Sequence, residues 1–133
     1  MRYLMMIFYD ESEHPEDGSP EQESLWQQYN AFTQHVIDEG VYRGADALHP
    51  ISTATTVRVR GGGALVTDGP FAETKEQLGG FYVIECDDLD EAIQIAARCP
   101  GSQHGTVELR PVIERGVAAT QAIRNQHDAA GNS

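Results

Sequence analysis

Cysteine is nearly absent from this sequence. Only Cys86 and Cys99 occur among its 133 residues, and no CxxC pair is present. Two cysteines are too few for a disulfide framework, which excludes the disulfide-rich secreted scaffolds. Reduced, structural thiols in a cytoplasmic protein are therefore expected.

Basic residues are scarce as well. The chain has 9 lysines and arginines against 21 aspartates and glutamates, and its formal net charge is -12. Such a surface repels phosphate backbones and anionic lipid headgroups, and no local basic stripe offsets the repulsion. No apolar run approaches the roughly 20 residues that a membrane-spanning helix needs. We therefore expect neither nucleic acid nor membrane as a partner.

Motifs for metals, phosphates and activated nucleophiles are also lacking. The 5 histidines form no HExxH and no other ligand spacing, so no metal and no cofactor are expected. The glycine run at 61–63 lacks the GK[ST] ending of a phosphate loop, and no GxSxG is present. Each histidine is interpreted as structural or exposed, although His104 lies in a loop from which it can approach a cleft.

What the sequence does contain is a regular succession of apolar patterns. Capping boxes at Ser19 with Gln22 and at Asp88 with Glu91 mark the starts of two helices. Pro111 favours an edge position or a bulge at the end of the last strand. The patterns predict, in order, strand 3–9, helix 20–39, weak strand 44–48, a hairpin of strands 55–60 and 64–67, strand 80–86, a helix from 89 that stops at 99–101, and strand 106–113.

This order is typical of a split β-α-β arrangement, an α+β ferredoxin-like fold in which an antiparallel sheet carries an inserted β-hairpin. Strand 80–86 is apolar on both sides, so the sheet face that the helices leave open needs a cover as well. A second copy of the sheet is the simplest cover, which predicts a homodimer that forms an α+β barrel. Residues 1–115 are predicted to be the domain, and residues 116–133 a partly disordered C-terminal tail.

The most specific stretch is VTDGPFAETKEQLGGF at residues 66–81. It resembles the signature of the DGPF subgroup of the YCII-related family, and the stretches ATTVRVR at 54–60, DLDEA at 88–92 and VELRPV at 107–112 are similar to that group too. The resemblance spans about residues 1–114. It implies a ferredoxin-like fold that assembles as a dimeric α+β barrel, and a functional link to extracytoplasmic-function sigma factors. A catalytic role is implied only by fold-level analogy.

Within this stretch, Asp68-Gly69-Pro70 is typical of a turn in which the aspartate bonds its own backbone. In this interpretation Phe71 anchors the loop in the core. In the functional interpretation, the turn instead holds Asp68 at a cleft, where a carboxylate with a raised pKa can act as a general base. In the same interpretation Lys75, which lies among carboxylates, can hold an anionic group of the substrate. A solvated turn with weak local ion pairs is the alternative.

The sequence therefore assigns Asp68, Glu73 and Lys75 as catalytic residues and Phe71, Glu76 and Arg110 as substrate-binding residues. Arg110 alternates with apolar residues on the last strand, from which it would point into a barrel or form a cross-strand ion pair. We expect a protein that binds a small organic molecule, and we hypothesise cofactor-independent proton-transfer chemistry. The alternative is a non-enzymatic accessory or ligand-sensing module that acts with a sigma factor.

Overall fold

An antiparallel sheet with two main helices forms the structure, a computed structural model that describes residues 1–114. The tail predicted at 116–133 lies outside the described residues. Two 3-10 turns, Glu11–Glu13 and Ile51–Thr53, interrupt the loops. The other elements are β1 Arg2–Tyr9, α1 Pro20–Asp38, β2 Tyr42–Ala47, β3 Thr55–Arg60, β4 Gly63–Asp68, β5 Gln77–Glu85, α2 Leu89–Arg98, α3 Gly101–His104 and β6 Thr106–Pro111.

The strands form one sheet of four strands, ordered β2-β5-β1-β6, and a separate ladder of β3 with β4. Every neighbouring pair is antiparallel. With α1 after β1 and α2 after β5, this is the ferredoxin-like split β-α-β arrangement, so the predicted fold class and the inserted hairpin are confirmed. β6 lies at the sheet edge, where Pro111 is tolerated.

Both main helices begin at side-chain caps. The Ser19 hydroxyl accepts a hydrogen bond from the Gln22 N–H at 3.1 Å, and the Asp88 carboxylate accepts one from the Glu91 N–H at 2.9 Å. In both cases the returning side chain reaches one residue further than in a simple capping box. Gln22 accepts from the Gly18 N–H, and Glu91 accepts from the Asp87 N–H. Otherwise orphaned N–H groups at the helix starts are thus satisfied.

The core lies between the helices and one face of the sheet. Odd-numbered residues of β1 and even-numbered residues of β5 point to this face, because side chains alternate along a strand. Each large side chain buried there contributes about 1.5–3 kcal/mol relative to an exposed one. The fully or nearly buried members include Tyr3, Met5, Ile7, Phe32, Val36, Tyr82, Ile84, Ala92, Ile95 and Cys99.

The opposite face of the four-stranded sheet carries a second apolar surface. We call it the open face and define it by Leu4, Met6, Phe8, Phe81 and Val83, which are only half-buried. The register pairs Met6 with Phe81 and Leu4 with Val83, so these side chains share one side of the sheet. No helix among residues 1–114 covers them, in agreement with the two-sided apolar strand that the sequence predicted.

The end of α2 agrees with the prediction. Arg98 is the last residue of α2 and Cys99 its C-cap, so the helix stops within 99–101 as predicted, but Gly101–His104 forms a further helical turn, α3, that the sequence did not predict. Pro100 has helical dihedral angles, φ -54° and ψ -33°. Proline is favourable at the start of a helix, so Pro100, which directly follows the C-cap of α2, begins α3.

Close backbone packing leaves no room for a side chain at Gly105. A Cβ at this position would lie 2.1 Å from the Phe8 carbonyl oxygen, a backbone atom that cannot rotate away. We predict that Gly105→Ala lowers the free energy of unfolding by about 3 kcal/mol through overpacking. Gly63→Ala is the matched control, because its Cβ would approach no closer than 3.9 Å to its neighbour. Equal melting temperatures for the two variants would contradict the prediction.

Candidate functional site

The turn predicted at Asp68-Gly69-Pro70 is present, but it is built differently. The Gly69 N–H donates to the Ala54 carbonyl oxygen at 2.7 Å, and the Thr56 hydroxyl donates to the Gly69 carbonyl oxygen at 2.7 Å. Gly69 has φ 96°, which favours glycine. The Asp68 carboxylate is exposed and makes no hydrogen bond within residues 1–114. Backbone and Thr56 therefore hold the turn, and Asp68 is left to solvent.

The structure contradicts the predicted anchoring of Phe71 in the core. Phe71 is 78% exposed. It follows the hairpin β3–β4, whose residues are also largely exposed and which joins neither edge of the four-stranded sheet. From this position the ring does not reach the helix-covered core. The assignment of Phe71 as a substrate-binding residue stays a prediction.

The remaining sequence-predicted residues are spread over the surface. Glu73 and Lys75 are exposed and form no ion pair within the described chain. Glu76 accepts a hydrogen bond from the Thr106 hydroxyl at 2.7 Å. No hydrogen bond or ion pair within residues 1–114 joins Asp68, Glu73 and Lys75 to one another.

Arg110 lies on β6, opposite Leu4, and so shares the side of the open face. Glu108 lies opposite Met6 on the same side. Both are exposed, and Arg110 forms no salt bridge with a residue of the described chain. The cross-strand ion pair considered for Arg110 is therefore not formed, and its assignment to substrate binding stays a prediction.

A groove of about 560 Å³ lies on the helix side of the sheet, where the sequence assigned no site. This volume is within the usual range for small-molecule sites. Three separate segments enclose it: the loop after β1, the first half of α1, and α3. The groove is lined by Tyr9, Asp10, Glu13, His14, Pro15, Pro20, Glu21, Ser24, Leu25, Gln28, Tyr29, Pro100, Gly101, His104 and Gly105.

His14 has a defined tautomer in its neutral form. Its Nδ1 lies 3.1 Å from the Pro15 carbonyl oxygen, and a carbonyl can only accept, so Nδ1 carries the hydrogen. The neutral ring then presents Nε2 as a free acceptor. The Tyr9 ring packs beside the imidazole, with centroids 4.8 Å apart and planes inclined by 36°. The arrangement can accept a proton at Nε2 without losing the Pro15 contact.

The charged groups of the groove are acidic. Hydrogen bonds from the side chain and backbone of Ser12 lower the pKa of the Asp10 carboxyl, and the charge of Lys75 lowers it further. Glu13 and Glu21 also line the groove, whereas no lysine or arginine of residues 1–114 does so. Burial, with the negative charge of Glu11 added, raises the pKa of the Tyr9 hydroxyl, which therefore stays a hydrogen-bond donor at neutral pH. The groove favours cationic and hydrogen-bonding groups.

Two hydrogen bonds hold the loop after β1 in place. The Gln77 side-chain oxygen accepts from the Glu11 N–H at 2.9 Å, and the Glu11 carboxylate accepts from the Ile51 N–H at 3.0 Å. Glu11 thus ties the wall of the groove to β5 and to the segment that leads into β3.

Close contacts fix the floor of the groove. A Cβ at Gly101 would lie 2.6 Å from a methyl carbon of Ile7 and 2.8 Å from the Tyr29 hydroxyl oxygen. Only glycine allows Tyr29 to lie this close to α3. Burial, followed by the neighbouring Cys99, raises the pKa of Tyr29, so its hydroxyl is neutral over the physiological range.

Within residues 1–114 no group of three or more histidine, cysteine, aspartate or glutamate side chains is arranged to hold a metal ion. None of the helices in this range is long and apolar enough to cross a membrane.

Comparison with known proteins gives one family. The model of the YCII-related domain matches residues 1–115. An uncharacterised protein of Rhizobium meliloti (strain 1021) is 36% identical over 114 residues, which are 84% of this chain and 92% of that protein.

The partly buried Tyr29 gives a prediction for stability at alkaline pH. Its folded-state pKa is raised above the ordinary 10.0, so the unfolded chain loses this proton first as the pH rises. The contribution of the protonated Tyr29 hydroxyl to the stability of the fold is therefore complete below about pH 10 and is lost as the pH rises above that value. We predict that Tyr29→Phe has a melting temperature that falls less steeply at alkaline pH than that of the wild type. Parallel melting curves for both proteins would contradict this.

Proposed function

Because the chain belongs to the YCII-related family, which its match over residues 1–115 establishes, we propose that it is a small-molecule-binding protein whose ligand occupies the groove between α1, α3 and the loop after β1. The observation that carries this proposal is His14, whose Nδ1 is engaged by Pro15 while Nε2 has no hydrogen-bond partner among residues 1–114 and lies beside Tyr9. A free ring nitrogen in a concave site of this size is a common element of binding and proton-transfer sites.

The ligand is a small organic cation, such as an amine. Asp10 and Glu13 supply negative charge along the groove, and no lysine or arginine of residues 1–114 lines it, although the charge of Lys75 reaches Asp10 from outside. The faces of Tyr9 and Tyr29 add an aromatic surface that attracts a cation. An organic acid would meet repulsion from the same carboxylates. The groove therefore favours a cationic ligand, whereas the site predicted at Lys75 would hold an anionic one.

In the catalytic form of this proposal, the His14 Nε2 is the general base. A neutral imidazole with its hydrogen on Nδ1 can take a proton from a ligand carbon at Nε2. The proton moves to Nε2, and the imidazolium that forms is stabilised by the nearby carboxylates. Tyr9, held neutral by its raised pKa, can donate a hydrogen bond to the negative charge left on the ligand.

The alternative is a non-enzymatic accessory or ligand-sensing module associated with an extracytoplasmic-function sigma factor. It rests on the resemblance alone and would use the same groove for binding without turnover. Binding of an amine with no chemical change in the ligand would favour this form of the proposal.

We also propose the homodimer predicted from the sequence. Support comes from the open face, whose apolar residues Met6 and Phe81 remain half-buried in a single chain. A second copy would remove them from water and close the α+β barrel.

Replacing the proposed base tests the proton-transfer form. Asparagine keeps a donor near the position of the imidazole Nδ1 but lacks the free Nε2, so His14→Asn should fold normally. We predict a loss of about 100-fold or more in turnover of any amine substrate, the usual contribution of a general base. His49→Asn is the matched control, because His49 is exposed and does not line the groove. Equal activity of both variants would contradict the role of His14.

A separate pair of variants tests the residues assigned from the sequence. Asp68→Asn removes an exposed charge from a turn held by Thr56, so we predict an unchanged melting temperature. If Asp68 and Lys75 form a site for an anionic ligand, then Asp68→Asn and Lys75→Met abolish binding of that ligand. Calorimetric titration with matched panels of small amines and small carboxylic acids separates the two locations. Unchanged binding of both panels in both variants would rule out the site at residues 68–76.

A further inference from the structure

The last part of the distinctive sequence stretch, residues 76–79, contacts the segments from which the groove is built, although none of these residues lines the groove itself. The Glu76 carboxylate accepts a hydrogen bond from the hydroxyl of Thr106, which directly follows a lining residue of the groove, at 2.7 Å. The Gln77 side-chain oxygen accepts one from the Glu11 N–H, in the loop that forms another wall, at 2.9 Å. Two walls of the groove are therefore held from behind.

The closest contact of this segment is between Gly79 and the Tyr9 ring. A Cβ at Gly79 would lie 2.7 Å from the ring carbon that bears the hydroxyl, and closer still to the neighbouring ring carbon. The φ of Gly79 lies outside the left-handed region, so its backbone conformation would accept alanine. Glycine is thus required at this position by the Tyr9 ring and not by the conformation of the strand.

The backbone at Gly79 is held in place on its other side. Its carbonyl oxygen accepts a hydrogen bond from the Leu48 N–H at 2.9 Å. The register of β1 with β5 pairs Leu78 and Gly80 and leaves Gly79 unpaired in a bulge, where a strand glycine often marks a close approach. An added methyl group would therefore displace the Tyr9 ring, which can rotate, and leave the sheet in place.

The position of the Tyr9 ring determines the shape of the groove. Tyr9 is a lining residue, and its ring centroid lies 4.8 Å from that of His14. A displaced ring would remove the aromatic face on which a cation packs, together with the hydroxyl that can donate a hydrogen bond to the ligand.

We propose that residues 76–79 support the groove and that Gly79 is a positioning residue, which acts on a bound ligand through Tyr9. The inference rests on the proposed binding role of the groove and adds which residues behind its walls set its shape. In this role Glu76 acts through Thr106 and does not touch the ligand. The distinctive stretch then contributes to a binding site without forming one itself.

A double-variant cycle tests the contact between Gly79 and Tyr9. Gly79→Ala should lower the melting temperature of the otherwise unchanged protein, because the methyl group and the ring compete for the same space. In the Tyr9→Ala background the same change should leave the melting temperature equal or higher, since alanine is more favourable than glycine within a strand. A penalty that persists without the ring would overturn the role of Gly79.

A spectroscopic measurement separates positioning from a general effect on stability. The NMR signal of the His14 Hε1 proton, identified by its absence in His14→Asn, senses the ring current of Tyr9. We expect Gly79→Ala to shift this signal towards its value in Tyr9→Ala. Gly80→Ala is the matched control, because its Cβ would meet the Asp46 carbonyl oxygen at 3.0 Å and not Tyr9, so it should lower stability and leave the signal in place. An unmoved signal in Gly79→Ala contradicts the proposal.

Calorimetric titration with benzylamine connects Gly79 to ligand binding. The ammonium group of this probe suits the acidic part of the groove, and its ring suits the aromatic part. Gly79→Ala should raise the Kd about 10-fold, which corresponds to the loss of one cation–π contact, and Gly80→Ala should leave it unchanged.

The outcomes separate the two proposals. Equal affinity of Gly79→Ala and the wild type for benzylamine overturns the positioning role and leaves the cationic ligand standing. A wild type that binds no benzylamine contradicts the proposed cationic ligand, and the His14 signal then decides whether Gly79 positions Tyr9.

Discussion

The alternation of side chains along β1 and β5 is the constraint on which the rest of the structure depends. Successive residues point to opposite sides of the sheet, and both sides are apolar. The two helices cover only one of them, which places Met5 and Ile84 in a dry core and leaves Met6 and Phe81 half-buried. The covered face forms the core of the domain, and the uncovered face is the observation that supports the proposed homodimer.

The architecture follows from local signals that can be read along the chain. Ser19 and Asp88 accept hydrogen bonds at the helix starts, where they were predicted to act as caps. The hairpin turns at Gly61 and Gly62, which both have positive φ. These features depend on residues close in sequence, so propensity and periodicity are sufficient to find them. Element ends were less accurate: β5 begins at Gln77, where a bulge between Ile7 and Phe8 shifts the register.

The candidate site could not be predicted in the same way. Its walls come from the loop after β1, from α1 and from α3, which lie far apart in sequence. His14 has no ligand spacing, and only the three-dimensional contact with Pro15 assigns its tautomer. The candidate site predicted from the sequence lies in residues 66–81. This stretch is distinctive for the turn at Gly69 and for Phe71, which is exposed rather than buried. A sequence motif identifies a conformation more readily than it identifies a cavity.

Gly101 and Gly105 limit how the groove can change in related chains. Any side chain at Gly101 would meet Ile7 and Tyr29, and any at Gly105 would meet the backbone of Phe8. The floor is therefore closed to substitution. In the proposed binding role, selectivity can change along the rim, at solvent-facing positions such as Glu13, Glu21 and Ser24.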